Sequence, residues 1–179
     1  MIDAIRYCLA NLANFSGRDP RATFWPYTLA LIVINLGVGA LAAIFAYKTM
    51  REAVGSLPAG SGKAEFVTHV FGQTSGPFTI LAYANAAVSI TTLLLFAAAF
   101  TRRLRDAGLP ALLVAIPVAA TLFDAYLNIS TTAQMVEFAK IGDFEAIGKT
   151  QASAARFWWA HLLGYVVVII CGLFPTRGA

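Results

Sequence analysis

Asp124 and His161 each stand inside an otherwise apolar run, and that placement gives them chemistry to do. A charged side chain in hydrocarbon is costly, so such groups are partnered or functional. Tyr165 follows His161 by four residues, which puts both on one helical face. Asn35, Tyr83 and Asn85 place further hydrogen-bonding groups in two other apolar runs. Two chemistries fit this set. One is a proton- or ion-linked polar path in which Asp124 and His161 titrate. The other is helix-to-helix hydrogen bonding in a passive bundle, a common use of polar side chains in lipid. A His–Asp pair with no adjacent nucleophile is not a hydrolase pattern. Ser89, Thr91 and Thr92 lie mid-span, where bonding back to their own helix is the expected role.

A second set is basic. Arg18, Arg21, Arg102, Arg103 and Arg105, with Asp106 among them, flank apolar runs. Guanidinium groups suit bidentate binding of carboxylate or phosphate. One reading is a site for anionic lipid headgroups or a phosphorylated ligand. The other, which we favour, is a clamp: Asp106 pairs with an arginine, helix ends are tied together, and the remaining arginines set orientation. Metal chemistry has little to work with, because His69 and His161 are the only histidines and no HxxxH or Cys/His cluster exists. Gly60-Ser61-Gly62-Lys63 lacks the spacing and strand of a phosphate loop, and no cofactor fingerprint stands in the chain. We therefore expect no metal and no cofactor. Cys8 and Cys171 form no CxxC pair and read as apolar filler.

The elements that must position these residues follow from composition. Hydrophobic residues make up 59% of the chain and charged residues 12%, about half the charge of a soluble domain. Mean hydropathy is +0.71. A chain of 179 residues cannot bury that much apolar surface in one aqueous core. Lipid is the second solvent, and a span needs about 20 apolar residues. The expected fold is an all-α integral membrane domain over residues 1–179. It has four transmembrane helices at about 24–47, 78–100, 109–129 and 157–174. The runs show no polar–apolar alternation, which excludes barrel strands. Pro117 falls inside the third span and predicts a kink. Asp124 is expected about five residues before the outer end of that span, and His161 just inside the outer start of the fourth.

Ile2, Ile5, Leu9 and Leu12 recur at helical spacing, so an N-terminal amphipathic helix precedes the spans, lying on the membrane or packed on the bundle. The long loops, 48–77 and 130–156, each hold enough apolar residues for an interfacial helix. Seven basic residues (Arg6, Arg18, Arg21, Arg102, Arg103, Arg105, Arg177) fall on one side and six (Lys48, Arg51, Lys63, Lys140, Lys149, Arg156) on the other. The first set crowds short juxtamembrane segments, which the positive-inside rule weights, so both termini are expected in the cytoplasm. Trp25 then sits at the inner interface, and Trp158 and Trp159 at the outer. Gly39–Ala43 and Ala82–Ala86 have the small-xxx-small spacing that allows close helix approach, within the chain or to a second copy. Arg18, Arg21 and Pro26 recur as Arg102, Arg105 and Pro110, an offset of 84 positions from 18 to 102, which suggests two hairpins of like orientation.

The same segments carry a family signature. Phe15-Ser16-Gly17-Arg18, Arg21 and Phe24-Trp25 resemble the F-x-G-R-x-x-R-x-x-[FY]-W opening of a bacterial inner-membrane family. That family is catalogued as domain of unknown function 805, the YhaH-like proteins. Arg102-Arg103-Leu104-Arg105-Asp106-Ala107-Gly108 resembles its R-R-L-H-D-x-G, with Arg105 in place of the usual His. Pro110-Ala111-Leu112 stands where a Ser-Gly-Trp run is common. The resemblance implies a small multi-span inner-membrane protein and supplies no reaction. The reading favoured is an uncharacterised, non-enzymatic scaffold, regulatory or lipid-binding bundle. A small transporter or channel built on Asp124 and His161 is the alternative, and an enzyme acting on lipid is third. Expected partners are the bilayer, with anionic phospholipid as the candidate, and a second copy or another protein. No basic face with stacking aromatics exists for nucleic acid.

Overall fold

A computed structural model describes residues 1–58 and 60–176, the side chains of Lys63, Ala64, Trp158, Ala160 and His161 excepted. Among the described residues the chain is helical, with no strand. The elements are α1 (Ile2–Ala10), α2 (Arg21–Gly55), α3 (Lys63–Asp106), a 3-10 turn (Ala111–Val114), α4 (Ala115–Lys140), α5 (Phe144–Ala155) and α6 (Trp158–Leu173). Three helices, Arg21–Gly55, Glu65–Asp106 and Ala111–Lys140, are long and apolar enough to cross a membrane. Their apolar side chains face outward: Val33, Leu36, Leu41, Ile80 and Leu94 are all exposed. Lipid as the surrounding solvent accounts for that pattern, which water would penalise. The fourth apolar helix, α6, has 16 residues, about 24 Å at the helical rise.

The helices outrun the spans read from the sequence. α2 has 35 residues and α3 has 44, about 50 and 65 Å. The expected loop at 48–77 contracts to a short connection, and Phe66, Val67, Val70 and Phe71 belong to α3 instead of a separate interfacial helix. Pro77 lies within α3, where it removes one N–H and its ring crowds the carbonyl four residues back. A helix already nucleated on both sides propagates through such a gap. In the second loop, Met135 and Phe138 extend α4, and only α5 is a separate helix. Asp124 therefore stands 16 residues before the end of α4, a helix that continues past the expected limit of the span at residue 129. Pro117 falls in the first turn of α4, directly after the 3-10 turn Ala111–Val114, where an N–H has no α-helical partner to lose.

Glycines end these helices where the chain must turn. Gly108 has φ +70 and Gly142 has φ +72, values that a side chain disfavours. The Leu109 N–H reaches the Leu104 carbonyl at 2.8 Å, and the Asp143 N–H the Phe138 carbonyl at 3.0 Å, closing α3 and α4 in the same way. Asp143 then caps α5 by accepting from the Ala146 N–H at 2.9 Å.

Contacts divide the chain into two compact units. The first comprises Met1–Leu36, Val88–Asp124 and Trp159–Ala179. Its core has two clusters. Cys8, Tyr27, Leu31 and Ala99 form one, with Ile5 beside them. Phe24, Phe100, Leu104 and Cys171 form the other. α1 thus packs through Cys8 and Ile5, while Ile2 and Leu9 stay exposed. The second unit comprises Gly37–Ala87 and Ala125–Trp158. Ala82 and Ala86 are buried there, as close helix packing requires. Gly39 differs: a Cβ at that position would meet nothing within 4 Å. Arg177 and the side chains of Lys63 and Trp158 lie outside the described residues.

Candidate functional site: an arginine clamp and a helix-lined cavity

The two signature segments meet in the first unit. Arg102, fully buried, donates from Nε to Asp19 Oδ2 at 2.9 Å. Its Nη1 donates to the carbonyls of Asn11 at 2.6 Å and Asn14 at 2.7 Å. Its guanidinium also lies 5.7 Å from the centre of the Tyr7 ring, in cation–π range. Gly17 packs closely beside it, where a Cβ would stand 3.0 Å from Arg102 Cδ. Arg103, also fully buried, pairs with Asp106 and donates to the Phe174 carbonyl and, at 3.2 Å, to that of Gly172. Arg105 donates to the Phe15 carbonyl, and Arg21 Nε to the Phe174 carbonyl at 2.9 Å. Trp25 Nε1 donates to the Gly172 carbonyl at 3.3 Å.

The first arginine set is therefore split. Arg102 and Arg103 are committed to protein carboxylates and carbonyls, and Asp106 to Arg103. Arg18, Arg21 and Arg105 are exposed. Asp19, the partner of Arg102, is missing from the sequence reading. Its signal was present: it adjoins Arg18 in a chain with only nine acids. Burial pushes the Asp19 carboxyl above the usual carboxylate range, although the Arg102 hydrogen bond and charge pull it down. Asp19 Oδ1, Arg102 Nη2 and Arg103 Nε are buried without a hydrogen-bond partner among the described residues.

The polar intramembrane set is also split. A cavity of about 530 Å³ in the first unit is lined by α2, α3, α4 and α6, and Asn35, Asp124 and Tyr165 all face it. Thr28, Ser89, Thr92 and Thr121 join them. Thr92 accepts from Asn35 Nδ2 at 3.0 Å, so it bridges α2 and α3, a role beyond the back-bonding expected of it. Asn85 lines a separate cavity of about 360 Å³ in the second unit, together with Asn128. Tyr83 is 57% exposed and lines neither. The His161 side chain lies outside the described residues, and with it the expected Asp124–His161 pairing.

The cavity is packed on one side. Phe96 lines it, and from there α3 runs through Ala98, Ala99, Phe100, Thr101, Arg102, Arg103 and Leu104, all buried. Phe96 and Phe100 stack at 5.2 Å, and Phe24 lies against both. The aromatic layer and the clamp thus fill the space between the cavity and the arginine end of α3.

The second unit holds one further polar cluster. Ser56 Oγ lies 2.9 Å from His69 Nε2, and Gln73 Nε2 lies 3.1 Å from the same atom. Ser56 also donates to the Ala53 carbonyl at 3.0 Å. This is the end of α2, where carbonyl oxygens concentrate. That polarity opposes an oxyanion, so the Ser–His contact reads as a tie between α2 and α3. Among the described residues, no three His, Cys, Asp or Glu side chains gather to hold a metal ion.

Compared with known proteins, residues 12–140 match the model of a family described as a protein of unknown function (DUF805). The match includes both signature segments and stops at the last residue of α4. No curated protein and no solved structure matches the chain.

Proposed function

The chain belongs to the DUF805 family of proteins of unknown function, and from that premise we propose a non-enzymatic, four-span protein of the bacterial inner membrane that holds an amphipathic small molecule or lipid between its helices. The spans are α2, α3, the 3-10 turn with α4, and α6, arranged as two hairpins. Both termini face the cytoplasm, because the densest basic segments adjoin the α2 and α4 starts. Exposed Arg6, Arg18, Arg21 and Arg105 then meet anionic phospholipid headgroups.

One observation carries the reading: the 530 Å³ cavity, mostly apolar, with a few polar groups converging from four helices. Its size falls in the roughly 300–1,000 Å³ range of small-molecule sites. The packed α3 segment favours a pocket over a conducting path, since a path would have to cross the aromatic layer and the clamp. The clamp's part is to hold the helix ends so that the pocket keeps its shape.

The test is saturable binding of a neutral apolar fluorophore, N-phenylnaphthylamine, to the full chain in nanodiscs. Ser89→Phe fills the cavity from α3 and should weaken binding by about tenfold or more, the loss of a few apolar contacts. Its unfolding temperature should stay near that of the parent. Absence of saturable binding to the parent, or equal binding by a folded Ser89→Phe variant, overturns the reading. Reporter fusions at each terminus and in the α2–α3 and α4–α6 connections check the topology.

A further inference from the structure

We infer that the cavity between α2, α3 and α4 in the second unit takes a neutral acyl lipid whose head both donates and accepts hydrogen bonds. The inference rests on the membrane-spanning reading of these three helices and is independent of the cavity in the first unit. Its basis is a set of polar side chains that face one space and have no partner there.

The cavity holds about 360 Å³, inside the roughly 300–1,000 Å³ range of small-molecule sites. Ser75 and Asn85 line it from α3, and Asn128 and Thr132 from α4. None of these four side chains makes a hydrogen bond among the described residues. Other hydroxyls of the same unit behave differently. Thr74 Oγ1 donates to the Val70 carbonyl at 2.8 Å, Thr79 Oγ1 to the Ser75 carbonyl at 2.8 Å, and Thr49 Oγ1 to the Phe45 carbonyl at 3.0 Å. Each returns its proton to its own helix, the ordinary fate of a hydroxyl on a span. The groups that face the cavity do not.

The depth of the cavity makes that costly. Ala46 lines it two residues before Lys48, and Val136 lines it directly before Glu137. The space therefore ends where the apolar runs of α2 and α4 give way to charge, the level of a lipid's glycerol and ester groups. An amide or hydroxyl without a partner in hydrocarbon is unfavourable. An amide brings two N–H donors and a carbonyl acceptor, and a hydroxyl brings one donor and two lone pairs. A head that only accepts, such as a simple ester, leaves the side-chain oxygens bare. A hydroxyl-bearing head satisfies both kinds of group. Phe71, Phe78, Leu81 and Met135 supply an apolar wall for the acyl chain. Asn85 and Asn128 are exposed, so the cavity is open at its side and the ligand enters from the bilayer.

The probes are 1-monoolein and methyl oleate, each with a diazirine at the same carbon of the acyl chain. The first head donates and accepts, and the second only accepts. The full chain in phosphatidylcholine nanodiscs is photolabelled with each, and the labelled peptides are mapped by mass spectrometry. Monoolein should label 71–85 and 128–136 saturably, at least about tenfold more tightly than the methyl ester. Asn85→Leu combined with Asn128→Leu should abolish that preference. Ala46→Phe fills the cavity from α2, leaves both amides in place and should block labelling there by both probes. Unfolding temperatures near the parent's show that the variants are folded. Equal labelling by the two probes, saturable labelling only elsewhere in the chain, or a folded double variant that keeps the preference overturns the inference. Absence of saturable labelling also overturns it, with water as the occupant. A parent that is dimeric by light scattering and a double variant that is monomeric overturn it in favour of a second copy. Reporter fusions test the spans, and the response of N-phenylnaphthylamine to Ser89→Phe tests the first cavity, so each reading fails separately.

Discussion

Replacing Arg102 with alanine should unseat the segment that joins α1 to α2. The guanidinium makes three hydrogen bonds, to Asp19, Asn11 and Asn14, from a side chain that is 0% exposed. Its loss strands the Asp19 carboxyl where water does not reach. Removing one partner of a buried pair costs about 3–5 kcal/mol. The two carbonyl bonds would add about 1.5–3 kcal/mol each if independent, but they share the same side chain, so the sum is not taken. Cys8 gives a local reading, because it is 1% exposed and packed on Tyr27, Leu31 and Ala99. In a Cys171→Ala background, with a single thiol left, a loss of about 3 kcal/mol should speed maleimide labelling of Cys8 about a hundredfold. Arg102→Lys should fall between, since an ammonium keeps the charge but cannot span the carboxylate and both carbonyls as the planar fork does. Labelling within about threefold of the parent, with an unchanged unfolding midpoint in detergent titration, would refute the clamp.

Two further outcomes concern a pair of glycines and Asp19. A Cβ at Gly172 would stand 2.8 Å from Trp25 Cζ2 and 3.0 Å from Phe24 Cε1, so Gly172→Ala should destabilise by about 1–3 kcal/mol. Gly37→Ala, with nothing within 4 Å, should be neutral or better, and thermal unfolding of the two variants side by side checks the contrast. The Asp19 carboxyl is raised by burial against the pull of Arg102. Its contribution is thus complete below the unfolded value, about 4, and is lost as pH climbs through the folded value. Asp19→Asn cannot ionise, so its unfolding temperature should gain on the parent's as pH rises from about 4. A gap that widens in the parent's favour would show the sign to be wrong.

Much of the architecture is written in one dimension. Long runs without charge demand lipid or a buried core, and a chain of this length lacks such a core, so apolar helices follow from solvation alone. The pairing of Asp106 with an arginine was legible because an acid beside Arg103 and Arg105 has few other fates. Helix ends were less legible. Ser130, Thr131, Thr132 and Gln134 look like loop by polarity, yet they continue α4, because backbone hydrogen bonding propagates whatever the side chain's taste for water.

What only the tertiary structure decided is which polar groups meet. Asp19 and Arg102 are 83 positions apart, and periodicity along a helix says nothing about a partner across a loop. Asn35, Asp124 and Tyr165 come from α2, α4 and α6 and face one space, while Asn85 faces another and Tyr83 neither. All five stand in apolar runs, so the sequence treats them alike. Helix rotation separates them, and rotation is set by packing between helices: Phe24 against Phe100 and Gly172 under Trp25. The sequence alone determined that arginines would crowd one end and that polar groups would lie within the spans. Packing alone decided that two of those arginines are buried in a clamp and that Asn35, Asp124 and Tyr165 share a cavity, because both depend on side chains brought together from distant parts of the chain.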